Sequence, residues 1–326
     1  MIGVDFTDLT WKEIQAAAEA DAALILPMAA IEACGPHLPV GTSQLVAGAV
    51  AARAVGRLRA RGVDAYRLAP LAWTTASRSA SFPGTLSIDP QTFRDLVIEI
   101  GCSLARMGFR RLGIATVHTD AAFLSTLAEA VGEVESRSGR RLAIPDLFDE
   151  KWADRLPSGF RGLTDHAGRL ETSILLSLAP DLVRERVLRG LPAVSVLPLE
   201  PGRTLAGGGA PEAYAGNPAS ATAEDGERFL ATLGEIVAAS ILVPASPPAT
   251  VKLPARLVPL VTANLEPPAD SPPIDFEVDE APEAPPHETP HATVFEWEED
   301  ESEAEAPAEE GGDDLAETIL DGPDET

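Results

Sequence analysis

The chain has 326 residues, with 51 acidic against 25 basic ones and a formal net charge of -26, so it offers no basic face for phosphates and is not read as a nucleic-acid binder. Its two cysteines give no disulfide framework, no apolar run reaches the roughly 18 residues of a membrane span, and Met1 to Asp5 lacks the blocks of a signal peptide. A cytoplasmic protein without membrane contact is expected.

The charge is unevenly placed. From Ser246 onward there are 23 Asp and Glu against only Lys252 and Arg256, together with 14 of the 29 prolines. Such a segment cannot bury enough apolar surface to offset its ordering entropy. We therefore expect one α/β domain over residues 1–243 and a disordered acidic, proline-rich tail over 244–326.

Along the body, Thr10-Trp11-Lys12-Glu13 has the spacing of a capping box and opens an alanine-rich helix ending near Ala20. Ala22 to Met28, closed by Pro27, reads as a buried strand. Thr42 is expected to cap a long helix through about Arg61, stopped by Gly62, and Asp64 to Ala69 reads as the next strand. Asp89-Pro90 starts a helix that runs to Met107 and stops at Gly108. Leu112 to Val117 is a strand with His118 just past its end. A helix follows over about Ala121 to Arg137, and another contains Glu171 before Pro180. This alternation predicts a mostly parallel sheet with helices on both faces. Ligands in such sheets bind beyond the carboxyl ends of the strands, where both the Glu32 to His37 loop and the His118 to Asp120 segment are expected.

The body holds three histidines, His37, His118 and His166, each in a loop-like context within five residues of a carboxylate: Glu32, Asp120, and Asp165 with Glu171. A lone histidine is ordinarily structural. Three beside carboxylates suit a site of mixed nitrogen and oxygen donors.

These residues carry a resemblance to the creatininase family of metal-dependent amidohydrolases. The family's first signature, Glu-x-His-Gly-x-His-Leu-Pro-x-x-Thr-Asp, aligns with Glu32-Ala33-Cys34-Gly35-Pro36-His37-Leu38-Pro39-Val40-Gly41-Thr42-Ser43. Phe82-Pro83-Gly84-Thr85 matches a family turn, His166-Ala167-Gly168-Arg169-Leu170-Glu171-Thr172-Ser173 matches His-Ala-Gly-x-x-Glu-Thr-Ser, and Gly216-Asn217-Pro218 matches a late Gly-Asp-Pro. The likeness spans about residues 8 to 240. It implies a three-layer creatininase-like fold and hydrolysis of an amide, cyclic or linear, through metal-activated water.

By the same resemblance, Glu32, His118 and Glu171 stand at metal-ligand positions, with Asp120 as an alternative carboxylate. His166 and Glu171 are the catalytic candidates. His37 and Asp120 are expected to support ligands or contact substrate. Four places depart from the pattern: Cys34 replaces a histidine ligand, Ser43 replaces the bridging aspartate, Thr116-Val117-His118-Thr119-Asp120-Ala121 replaces the usual Asn-Gly-His-Gly-Gly-Asn, and Arg78-Ser79 stands where relatives commonly carry Glu-His. Cys34 could bind as a thiolate, with a small buried thiol as the plain alternative, whereas a neutral Ser43 hydroxyl cannot bridge two cations.

Two expectations follow. One is a hydrolase of C–N bonds acting on a small amide with a single divalent ion, zinc or else iron or manganese, held by Glu32, Cys34, His118 and Glu171. The other is a metal-free pseudoenzyme kept for binding or scaffolding, with the tail docking a protein partner. The resemblance also implies a homo-oligomer.

Overall fold

The structure is a computed structural model that describes residues 5–161, 164–196 and 203–242. The acidic tail lies outside the described residues, and with it the expected boundary at 243.

Four parallel strands form the sheet: β1 (Ala23–Pro27), β2 (Ala65–Arg67), β3 (Arg111–Ala115) and β4 (Leu142–Ala143), in the order β2-β1-β3-β4. The expected layering is present. On one face lie helices α2 (Thr42–Arg59), α6 (Arg169–Leu178) and α8 (Ala223–Leu242), packed around Val50, Ala54, Leu170, Ile174, Leu233 and Val237. On the other lie α1 (Trp11–Glu19), α3 (Pro90–Arg106) and α4 (Ala121–Ser138), meeting at Phe93, Val97, Phe123 and Leu127. Two four-residue helices, α5 (Ser158–Arg161) and α7 (Glu185–Leu188), lie in the connections.

The strand β1 is buried along its whole length because both faces are covered, which is why it reads as an unbroken apolar run. From β1 the chain crosses through α2 to β2 at one edge, then returns through α3 to β3 on the far side of β1. The direction of winding thus reverses between β1 and β3. In an open parallel sheet that reversal leaves a crevice beyond the carboxyl ends of the two strands.

Local chemistry accounts for most helix ends. Thr10 and Glu13 form the capping box of α1, Asp89 accepts from the Gln91 and Thr92 amides ahead of Pro90, and Gly108 takes the left-handed conformation after α3 at φ +99°. One expectation is corrected. Thr42 is the first residue of α2 rather than its cap: Gly41 holds the cap position without a side-chain bond, and the Thr42 hydroxyl donates to the Pro39 carbonyl at 2.6 Å. The helix ends at Arg59, and β2 is shorter than the Asp64 to Ala69 span.

The α6 and α8 helices approach so closely that a Cβ on Gly226 would lie 2.0 Å from the Ser173 carbonyl oxygen. Because the obstacle is backbone, the helices must separate to admit it. Gly226→Ala is expected to lower unfolding free energy on the order of 3 kcal/mol, read by urea denaturation. An unchanged midpoint would contradict this packing.

Candidate functional site

After β1 the chain loops over the carboxyl edge of the sheet. Gly35 turns it at φ +67°, where a Cβ would meet the His37 ring at 2.8 Å. The Glu32 amide closes the loop on the Val40 carbonyl at 3.1 Å. The Phe82 to Thr85 turn braces it, with the Ala33 amide donating to the Thr85 hydroxyl at 3.0 Å and the Leu86 amide to the Ile31 carbonyl at 2.9 Å. The motif match at that turn therefore reflects support of the Glu32 loop.

Glu32 is 2 % exposed and sits at the crevice between β1 and β3. Its Oε1 accepts from Ser43 Oγ at 3.1 Å and faces His118 Nδ1 at 3.0 Å, while Oε2 accepts from Ser79 Oγ at 2.8 Å. Burial alone would raise its pKa, but the adjoining His118 and the hydrogen bonds from His118 and Ser79 hold it well below the carboxylate range. The other nitrogen of His118, Nε2, lies 3.1 Å from the Thr75 carbonyl, which can only accept. With an acceptor at each nitrogen, the ring is placed to donate twice. Burial opposes that charge, yet the adjoining Glu32 carboxylate raises the pKa to about 9.

Asp120 caps α4. Its two oxygens take bonds from the Ala122 and Phe123 amides, the Ser77 hydroxyl and the Arg78 amide, at 2.9 to 3.2 Å. That carboxylate therefore holds the 77–79 turn against the start of α4.

Cys34 is 2 % exposed and packs with Leu38, Ala167, Leu175 and Tyr214. Burial, then the nearby Glu32 and Glu171 carboxyl groups, push its thiol well above the ordinary range, which accords with the packed-thiol alternative. His37 is also enclosed. Its Nε2 lies 2.9 Å from Thr172 Oγ1, its ring meets Tyr214 edge-on, and burial lowers its pKa to about 4, which makes it a neutral brace between the loop and α6.

His166 Nε2 donates to the Ala33 carbonyl at 2.9 Å, leaving Nδ1 as the bare nitrogen of a ring that burial keeps toward neutrality. Glu171, in the first turn of α6, has a buried Oε2 with no partner among the described residues, as does Asp165 at Oδ1. Desolvation raises both carboxyls, and for Glu171 the proximity of Asp165 adds to it.

Glu32, Ser43, His118, His166 and Glu171 line one small cavity together with Arg78 and Ser79, which motif matching left out of the site. The cavity holds about 10 Å³, room for about one water molecule. The signal that could have found Arg78 and Ser79 was their position at a departure from the family pattern, beside a buried carboxylate that needs partners.

The family model described as creatinine amidohydrolase matches residues 7–241, well over half of the chain. The chain belongs to the creatininase family. It is similar to the creatinine amidohydrolase of Pseudomonas putida, 32 % identical over 220 residues that cover 62 % of this chain and 84 % of that one. It is also similar to the mycofactocin precursor peptide peptidase of Mycolicibacterium smegmatis, 30 % identical over 217 residues, 64 % of this chain and 80 % of the other. Among solved structures, a manganese form of creatininase superposes with a TM-score of 0.58 at 27 % identity, covering 73 % of this chain and 97 % of that one.

The residues of this creatininase-family chain do not fit a two-metal centre. Two neighbouring cations need a shared negative ligand. The place of the bridging acid holds a Ser43 hydroxyl that donates to Glu32 instead of offering charge. Among the described residues no group of three or more His, Cys, Asp or Glu side chains is arranged to hold a metal ion.

The buried acids make a pH prediction. A carboxyl whose folded pKa is raised binds its proton more tightly in the native state, so its contribution weakens as pH rises above the ordinary carboxylate range. Glu171→Gln is therefore expected to flatten the decline in melting temperature between about pH 5 and pH 8. A decline as steep as in the parent chain would show that Glu171 is not held neutral.

Proposed function

We propose that this creatininase-family protein has exchanged two-metal hydrolysis for a binding or scaffolding role, with its former catalytic pocket serving as a neutralised polar core. One observation carries this. Three positions at which the family pattern would supply ligands are otherwise engaged: Asp120 as the cap of α4, Ser43 as a donor to Glu32, and Cys34 as a buried thiol. The space left, about 10 Å³, does not admit an amide substrate.

In this proposal the body is a rigid platform and the tail is the docking element. The tail interleaves apolar and acidic residues at Ile274-Asp275-Phe276-Glu277-Val278 and Val294-Phe295-Glu296-Trp297-Glu298, a pattern suited to folding on a partner. Self-association forms part of the same proposal, since the exposed Leu45 and Leu178 line one apolar groove.

A second reading, residual hydrolysis of a small amide with one divalent ion, draws on the unpartnered Glu171 oxygen beside Glu32 and His118. Zinc suits such donors best, with iron or manganese as alternatives.

Metal analysis separates the two. Full-length protein purified without chelators is expected to hold less than about a tenth of an equivalent of zinc, iron or manganese. It is also expected to leave creatinine and a peptide amide intact when zinc or manganese is added. A stoichiometric ion with turnover would establish the hydrolase instead. Ser43→Asp combined with Cys34→His should raise metal content if the site has lost its ligands. Loss of a native activity in that variant would show that Ser43 and Cys34 are themselves functional.

A further inference from the structure

Arg78 is the cavity-lining residue that the proposed function leaves without a role. Its backbone is clamped on both sides, the amide donating to Asp120 Oδ2 at 2.9 Å and the carbonyl accepting from the Leu205 amide at 2.9 Å. The side chain is thereby delivered into the pocket that Glu32, Ser43, His118, His166 and Glu171 also line. Its Nε is enclosed and has no hydrogen-bond partner among the described residues. Burial opposes the charge of this guanidinium, and the carboxylates whose fields favour it are Asp120 first and then Glu32.

The pocket therefore contains a fixed cation of its own, since the Arg78 guanidinium lines it beside the Glu32 and Asp120 carboxylates, and Glu32 is already engaged by His118 Nδ1 at 3.0 Å. A divalent ion entering here would meet a guanidinium that cannot lose its proton.

We propose that Arg78 is a built-in cation that takes over the charge-neutralising role of a metal in this pocket and keeps metal out. This rests on the non-hydrolytic reading above and deepens it. The disagreement between the donor set and a metal pair then has a cause in this chain's own residues. Glu32 lost its bridging neighbour and acquired an internal counter-ion in the same pocket.

The test uses full-length parent protein, Arg78→Met and the double variant Arg78→Met with Glu32→Gln, each dialysed against zinc and then against metal-free buffer. Bound zinc and melting temperature are the readouts. The parent is expected to stay zinc-free and to melt at the same temperature with or without zinc. Arg78→Met should melt several degrees lower and bind zinc, recovering part of the loss. The double variant, which removes one charge of each sign, should melt higher than Arg78→Met alone and stay zinc-free. If Arg78→Met is too unstable to purify while the double variant is folded, that result also supports the charge balance. The proposal is overturned alone if the parent is zinc-free but Arg78→Met matches it in both readouts, or if the double variant is no more stable than Arg78→Met. Stoichiometric zinc on the parent would overturn both this proposal and the non-hydrolytic reading.

Discussion

A carboxylate buried at the carboxyl edge of a parallel sheet must be answered by partners inside the protein, because desolvating it uncompensated costs several kcal/mol. Glu32 is that group, and the surrounding segments converge on it. His118 arrives from the end of β3, Ser43 from the first turn of α2, and Ser79 from the turn ahead of α3. These three segments are brought together by the reversal of winding between β1 and β3. The site therefore depends on the sheet order, and the loop around Glu32 depends on these partners to stay closed.

The other acids of the pocket are handled differently, and the contrast explains its chemistry. Asp120 remains surrounded by donors because it sits at a helix start, where backbone amides are free to satisfy it. Glu171 and Asp165 also lie at a helix start, that of α6, but there burial outweighs the backbone hydrogen bonds and favours their protonated forms. In a family that includes a manganese form of creatininase, this chain shows how such a fold can arrange its pocket around hydrogen bonds and internal ion pairs.

Several features were legible because they depend on neighbours close in sequence. The capping box at Thr10 and Glu13 and the Asp89-Pro90 start each involve groups within three residues. Thr42 misled because a threonine before an apolar helix suits either the cap or the first turn. The contact that decides between them is its hydroxyl bond to Pro39, set by the fold of the preceding loop. For Asp120 the sequence left ligation and capping both open, and the partners the fold supplies, Ser77 and Arg78, lie more than forty residues away.

By itself the sequence determined the family, the alternation of strands and helices, and the two strand ends at which Glu32 and His118 would lie. Periodicity, turn residues and spaced motifs encode those properties locally. Only the tertiary structure decided what each acid does, that Cys34 is a packed thiol, and that Arg78 shares the pocket with Glu32. The state of a buried ionisable group is fixed by whichever donors, charges and apolar walls the fold brings around it, and these come from segments far apart in the chain.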